Sequence, residues 1–175
     1  MTPLDLGSLR HADLPEVVPS QWFGTWFVVR SDFPMWRDPR NVDATLTYGP
    51  VAGAPDRMTD RVSYVRDGRA RRIQGTNTVD PVARSHLTWR GAGLLAWVTS
   101  RWCAVALGDG LAVIAFSKTL FTPCGVDVLC RVPNPCASKV GALLDLASIV
   151  PGVSDHLEQL HVCSQSGITP ATLGS

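Results

Sequence analysis

Three polar residues, Arg30, Tyr64 and His86, fall in runs of strand-like composition, where a side chain can point into a protein interior. A guanidinium can anchor a carboxylate, sulfate or phenolate. An imidazole or a phenol can transfer a proton within a shaped pocket, and histidine titrates near neutral pH. These residues are therefore the candidate catalytic groups if the protein is an enzyme. The structural alternatives are a rim position for Arg30, paired with Asp32, and a solvent-facing or merely hydrogen-bonded His86.

Motifs that usually identify an enzyme are missing from the sequence. There is no Gly-x-Ser-x-Gly elbow, no Gly-x-Gly-x-x-Gly after a strand, no phosphate loop and no His-Glu-x-x-His. Asp32, Asp43 and Asp127 are isolated acids, without the spacing of a carboxylate pair. A cyclase or isomerase that needs no cofactor stays open, because it requires only a shaped pocket and one or two polar groups.

Histidine and cysteine spacing does not indicate a metal site. His156 and His161 are five residues apart and do not share a helical face. Cys124, Cys130 and Cys136 recur at intervals that match no common zinc spacing. We therefore predict no metal and no bound cofactor.

Composition bounds the class of protein. The 175 residues carry a net charge of +1 and are 45% hydrophobic, which suits one globular domain and lacks the positive field of a nucleic-acid binder. No run approaches the roughly 20 apolar residues of a membrane span. Without a signal-like start or an Asn-x-Ser/Thr site, we expect a cytoplasmic monomer or homodimer. Five cysteines, an odd number, favour reduced thiols; a bridge from Cys163 is the alternative.

The pattern along the chain predicts a sheet. Runs rich in Val, Thr, Tyr, Phe and Trp alternate with turn residues, and Asp67-Gly68 and Gly108-Asp109-Gly110 are typical of tight hairpins. Short turns make sequential strands pair antiparallel, and closure into an up-and-down barrel removes exposed edges. The predicted strands cover 22–30, 42–48, 58–66, 69–79, 84–90, 94–107 (with a possible interruption), 111–118 and 125–131.

The C-terminal region changes period. Val140, Leu143, Leu144 and Ala147 recur at helical spacing, so we predict one amphipathic helix over 138–150, lying on the sheet. A short helical turn and a last edge strand near His161 follow. The predicted organisation is an extended arm over 1–20, a barrel with its helix over 21–163, and a flexible tail over 164–175.

Two motifs resemble those of the lipocalins. Gly24-Thr25-Trp26 matches the family's Gly-x-Trp on the first strand, and Arg131 ends the eighth strand in a segment like the one that precedes the family's helix. The resemblance covers about residues 20–163 and implies an all-β, eight-stranded antiparallel barrel with an external helix. It departs at Gly108-Asp109-Gly110, which keeps only the aspartate of the family's central turn. Trp26 would close the base with Arg131 across its indole, and Gly24 would allow close packing there.

The same resemblance implies a hydrophobic cup under a lid formed by the loop after the first strand. The expected ligand contacts are Val28, Arg30, Phe33, Trp36, Tyr48, Tyr64, His86, Trp89, Trp102 and Phe116. The first hypothesis is a binding protein for a small hydrophobic molecule such as a fatty acid, terpenoid or polyketide. The second is a cofactor-independent cyclase or isomerase acting on a hydrophobic natural-product intermediate. The third, haem or bilin binding, needs His86 or a cysteine inside the barrel.

Overall fold

The computed structural model describes Leu6 and residues 14–119 and 123–166. Within these ranges the strands are β1 (Gly24–Ser31), β2 (Asn41–Pro50), β3 (Arg57–Arg66), β4 (Arg69–Val79), β5 (His86–Gly91), β6 (Thr99–Gly108), β7 (Leu111–Phe116), β8 (Gly125–Cys130) and β9 (His161–Val162). The helices are α1 (Pro19–Trp22), α2 (Pro34–Arg37), α3 (Ala137–Ser148) and α4 (Ser154–Leu157). Seven of the eight predicted strands match the observed strands to within two residues at each end, and β6 is the exception. The predicted helix matches α3 equally well.

Hydrogen bonding closes the sheet into a barrel. Strands β2 to β7 each pair antiparallel with the next strand, while β1 pairs with β2 through residues 24–27 and with β8 through residues 27–31. The hairpin turns contain Asp67-Gly68 and Asp109-Gly110, whose φ angles are all positive, between 51° and 72°. The predicted eight-stranded antiparallel barrel with a C-terminal helix is confirmed.

Strand β6 begins later than the sequence pattern predicts. Residues 92–98 form a loop containing a 3-10 turn over Gly93–Leu95, and Gly93 has a φ of +58°. The loop folds back onto β5, since a Cβ at Gly91 would lie 2.3 Å from the carbonyl oxygen of Leu95. The predicted strand over 94–107 is therefore interrupted until Thr99.

Alternating side chains divide the core into two layers. One set of residues fills the lower barrel, including Trp22, Trp26, Leu46, Trp102, Ile114 and Leu129. The other lies outside the sheet and is covered by α3, whose inward stripe is Val140, Leu143 and Ala147. The helix therefore protects the outer face of strands β6 and β7 from water.

The base of the barrel is sealed by aromatic rings and one arginine. Trp22 and Trp26 have ring centroids 5.2 Å apart, and the Trp26 indole donates a hydrogen bond to the carbonyl of Trp22 at 2.9 Å. The guanidinium carbon of Arg131 lies 3.8 Å from the centroid of Trp26. Gly24, at a φ of +96°, leaves room for this group, because a Cβ there would approach Arg131 to 3.2 Å.

The C-terminal segment adds a short strand beside β1. Strand β9 pairs with Arg30 and Ser31. Beyond it, the Asp43 carboxylate accepts hydrogen bonds from the backbone and the hydroxyl of Ser166, at 2.6 and 2.5 Å. Residues 164–166 are therefore held in place, in contrast to the expected flexible tail, whose remainder lies outside the described residues. Most of the expected arm over 1–20 also lies outside them.

Two global expectations concern the thiols and the membrane. All five cysteines are free, which agrees with the expectation of reduced thiols. Among the residues that the structure describes, no helix has the length and hydropathy needed to cross a bilayer.

Candidate functional site

A cavity of about 370 Å³ occupies the barrel at the end opposite the Trp26–Arg131 contact. Its deep part is formed by buried side chains such as Leu46, Tyr48 and Trp102. Loop residues border the other side, where Trp97 is 65% exposed. The cavity therefore extends from the aromatic interior towards solvent.

Six of the ten expected contact residues line this cavity: Phe33, Trp36, Tyr48, Trp89, Trp102 and Phe116. Several of these rings pack on one another: the centroids of Phe33 and Phe116 are 5.4 Å apart, and those of Trp102 and Phe116 are 6.4 Å apart. The structure thus brings together aromatic residues from the loop after β1 and from four different strands. Val28, Arg30, Tyr64 and His86 are not part of the lining.

A β-bulge in β1 keeps the Arg30 side chain out of the cavity. The strand register shifts between Val28 and Arg30, so that Arg30 lies opposite Val128. Val128 packs in the outer layer, whereas Asp127, which pairs with Ser31 at the next position, lines the cavity. The two-residue period that placed Arg30 inside breaks at this bulge, and Val28 is buried below the cavity.

His86 and Tyr64 also lie away from the cavity surface. His86 is opposite Cys103 on the outer face, and its Nε2 lies 2.9 Å from the carbonyl oxygen of Leu6. This imidazole is therefore buried on the outside of the barrel, in contact with the backbone of Leu6. Tyr64 packs edge-on against Trp36, at 5.5 Å between centroids, and so supports the cavity wall from behind.

Asp60 is a buried acid of the cavity wall that belongs to no sequence motif. Its Oδ2 accepts a hydrogen bond of 3.0 Å from the Asn77 side chain, whose oxygen accepts one of 2.8 Å from the Trp102 indole. Its Oδ1 is buried and has no hydrogen-bond partner. Burial raises the pKa of Asp60 to about 7, and the Asn77 hydrogen bond opposes this rise.

Asp127 is the second acid of the cavity. It is 4% exposed, and its Oδ1 also has no hydrogen-bond partner. Burial raises the pKa of Asp127 to about 7, and the negative charge of Asp32 adds to this rise. Hydrogen bonds from Ser31 and Trp36 oppose the rise. The two acids also affect the Tyr48 phenol. Burial is the main reason why the pKa of Tyr48 is raised, and the negative charges of Asp60 and Asp127 raise this pKa further.

The fold is similar to several solved structures. Lobster apocrustacyanin A1 superposes with a TM-score of 0.66 at 10% identity, over 88% of this chain and 83% of that one. Insecticyanin from the tobacco hornworm Manduca sexta superposes with a TM-score of 0.63 at 12% sequence identity, over 90% of this chain and 87% of that one. The siderocalin Ex-FABP is described as functioning through dual ligand specificities. It superposes with a TM-score of 0.62 at 9% sequence identity, over 82% of this chain and 94% of that one.

The chain has the lipocalin fold. At these identities the likeness concerns the fold alone, and no family profile and no curated protein matches the sequence. The resemblance inferred from Gly24-Thr25-Trp26 and Arg131 is confirmed at this level.

The two acids of this lipocalin barrel could have been found from strand alternation. Asp60 shares the period-two face of Met58 and Val62, both of which pack towards the interior. Asp127 is two residues from Leu129, which is also interior. Asp127 is an isolated acid in the sequence, because it lies 67 residues from Asp60 and only barrel closure places both carboxyls in one cavity.

A separate polar cluster lies outside the lipocalin cavity, where α4 meets β8. The Asp32 carboxylate accepts a hydrogen bond of 2.7 Å from the Val126 amide and pairs with Nδ1 of His156. Nε2 of His156 lies 4.0 Å from the sulfur of Cys124. Because Asp32 contacts both β8 and α4, it fixes the C-terminal segment to the barrel.

Proposed function

We propose that this protein binds a small hydrophobic molecule inside its barrel. The observation that carries the proposal is the aromatic cavity of about 370 Å³, which lies within the range of roughly 300–1,000 Å³ typical of small-molecule sites. A few polar groups in an otherwise apolar wall are also typical of such sites. The dual ligand specificities of the siderocalin Ex-FABP are consistent with a ligand-holding role for this fold.

The test is binding of the neutral fluorophore N-phenyl-1-naphthylamine. Its emission should rise on addition of the protein and fall when a competing apolar molecule displaces it. Ile73 lines the cavity, so Ile73→Trp should fill the space and abolish the rise. Ile149→Trp is the matched control, because Ile149 is 80% exposed on the outside. No emission change with the wild-type protein, or equal changes with both variants, would contradict the proposal.

A cofactor-independent isomerase or cyclase is the second candidate. The observation that favours it is a pair of buried carboxyls, Asp60 and Asp127, whose pKa values are both raised to about 7 by burial. Carboxyls with such a pKa can give or take protons near neutral pH. This candidate predicts that wild type and a D60N/D127N variant co-purify with isomers of equal mass but different chromatographic retention. Recovery of one identical compound from both proteins would favour carriage alone.

Haem or bilin binding gains no such support. None of the described residues that line the cavity is a histidine or a cysteine. We therefore do not extend the proposal to a tetrapyrrole held by one of these side chains.

We also propose a cytoplasmic location, because the free thiols suit a reducing compartment. Fractionation of cells that express the protein, followed by thiol labelling under denaturing conditions, tests this. Recovery from the exported fraction, or with oxidised thiols, would refute it.

A further inference from the structure

Two acidic groups of the cavity wall each have one carboxyl oxygen without a hydrogen-bond partner in the protein. Oδ1 of Asp60 and Oδ1 of Asp127 are buried without a partner, and both residues belong to the cavity wall. Their side chains are 6% and 4% exposed, so bulk water reaches them poorly. A buried carboxyl oxygen without a donor is costly, which indicates that a donor from outside the protein completes the site.

The rest of the wall suits a positive charge and does not supply one. No lysine, arginine or histidine is present among the described residues that line the cavity. The Arg131 guanidinium, at the base of the barrel, contacts the Trp26 ring and donates to the carbonyl oxygens of Thr25 and Gln21. The electron-rich faces of the aromatic rings described above attract cations as well as apolar groups.

The geometry points to an organic cation as the ligand: an alkyl- or arylammonium whose nitrogen donates to a free carboxylate oxygen of Asp60 or Asp127 while its apolar part contacts the aromatic rings. This inference rests on the proposed ligand-binding function. It disfavours fatty acids, because a carboxylate head would meet two acids and no base. A neutral alcohol of equal length would gain the apolar contacts but would lack the charge-assisted hydrogen bond.

The test compares three ligands that differ only in the head group. Octylamine, octanol and octanoate are titrated into the protein by calorimetry at pH 8, which is above the pKa of about 7 of Asp60 and Asp127. We expect octylamine to bind about tenfold or more tightly than octanol, as charge-assisted hydrogen bonds do relative to neutral ones, and octanoate to bind most weakly.

Substitution then assigns the effect to the two acids. In D60N/D127N the affinity for octylamine should fall about tenfold or more, while that for octanol stays within about twofold. Asp109→Asn is the matched control, because it removes the same charge from a turn where the side chain is 81% exposed. If the double variant lacks the circular dichroism spectrum of the wild type, the single variants D60N and D127N replace it.

The outcomes separate this inference from the proposed function. Octanol or octanoate binding the wild type as tightly as octylamine, or unchanged octylamine binding in the asparagine variants, would overturn the cation assignment. It would also be overturned if N-phenyl-1-naphthylamine bound and octylamine did not. If neither the fluorophore nor any of the three octyl compounds bound, the proposed function would fail, and the inference with it.

Discussion

Replacing Asp60 by asparagine removes an ionisable group from the barrel interior while keeping its shape and its hydrogen bond with Asn77. Burial raises the pKa of Asp60 from 3.8 to about 7 in the folded protein. Between pH 4 and pH 7 the folded protein therefore holds a proton that the unfolded chain has released. The stabilisation that this group contributes is complete below about pH 4 and is lost as the pH rises through 7.

The size of the effect follows from the two pKa values. A rise from 3.8 to about 7 corresponds to about 4 kcal/mol of unfolding free energy, lost between the two pH limits. Asp60→Asn does not ionise, so the loss should be absent at this position. Relative to wild type, the variant should therefore gain about 4 kcal/mol between pH 4 and pH 8.5, and Asp127→Asn should behave in the same way.

Urea unfolding followed by tryptophan fluorescence, at several values between pH 4 and pH 8.5, measures this difference. Asp109→Asn serves as the control for a surface acid, and its stability should follow that of the wild type at every pH. Parallel curves for wild type and Asp60→Asn would refute the argument, because they would mean that the Asp60 carboxyl has an ordinary pKa in the folded state.

Three further substitutions test the structural account. Trp26→Ala should cost about 3–5 kcal/mol, as aromatic core truncations do, because the Arg131 guanidinium also loses its ring; unchanged urea unfolding would contradict the sealed base. Gly125→Ala should cost about 1–3 kcal/mol, since a Cβ there would lie 2.7 Å from Oδ1 of Asp32 and 2.8 Å from the Phe33 ring; an equally stable variant would show that both side chains move aside freely. Asp43→Gly should speed amide exchange in residues 161–166, and unaltered exchange would show that this carboxylate does not hold the segment.

Much of the fold was predictable, because the signals for it are local. Alternating β-branched and aromatic residues define the strands, and glycine after aspartate defines two hairpins. The contact of Trp26 with Arg131 could be expected from the motifs that contain them. The late start of β6 could not be expected in this way, because Leu94 and Leu95 have strand-like hydropathy. The loop folds back through the backbone at Gly91 and Gly93.

The site was less predictable, because strand irregularities and non-local pairing determine it. One bulge before Arg30 reverses the face on which this residue lies, and no local sequence signal identifies the bulge. His86 is buried on the outside of the barrel, where it contacts the carbonyl oxygen of Leu6, so its burial does not place it in the cavity. Asp60 and Asp127 were not predicted as site residues, because they do not have the sequence spacing of a catalytic motif. They share one cavity only because the barrel closes.

The six tryptophans can report where in the barrel a ligand binds. Four indoles, those of Trp36, Trp89, Trp97 and Trp102, belong to the cavity wall, while the other two lie at the base. In nitrogen-15 spectra recorded during titration with N-phenyl-1-naphthylamine, the indole N–H signals of the four should shift to saturation and those of Trp22 and Trp26 should stay in place. Unchanged signals from all four, or shifts confined to the two at the base, would contradict ligand binding in this cavity.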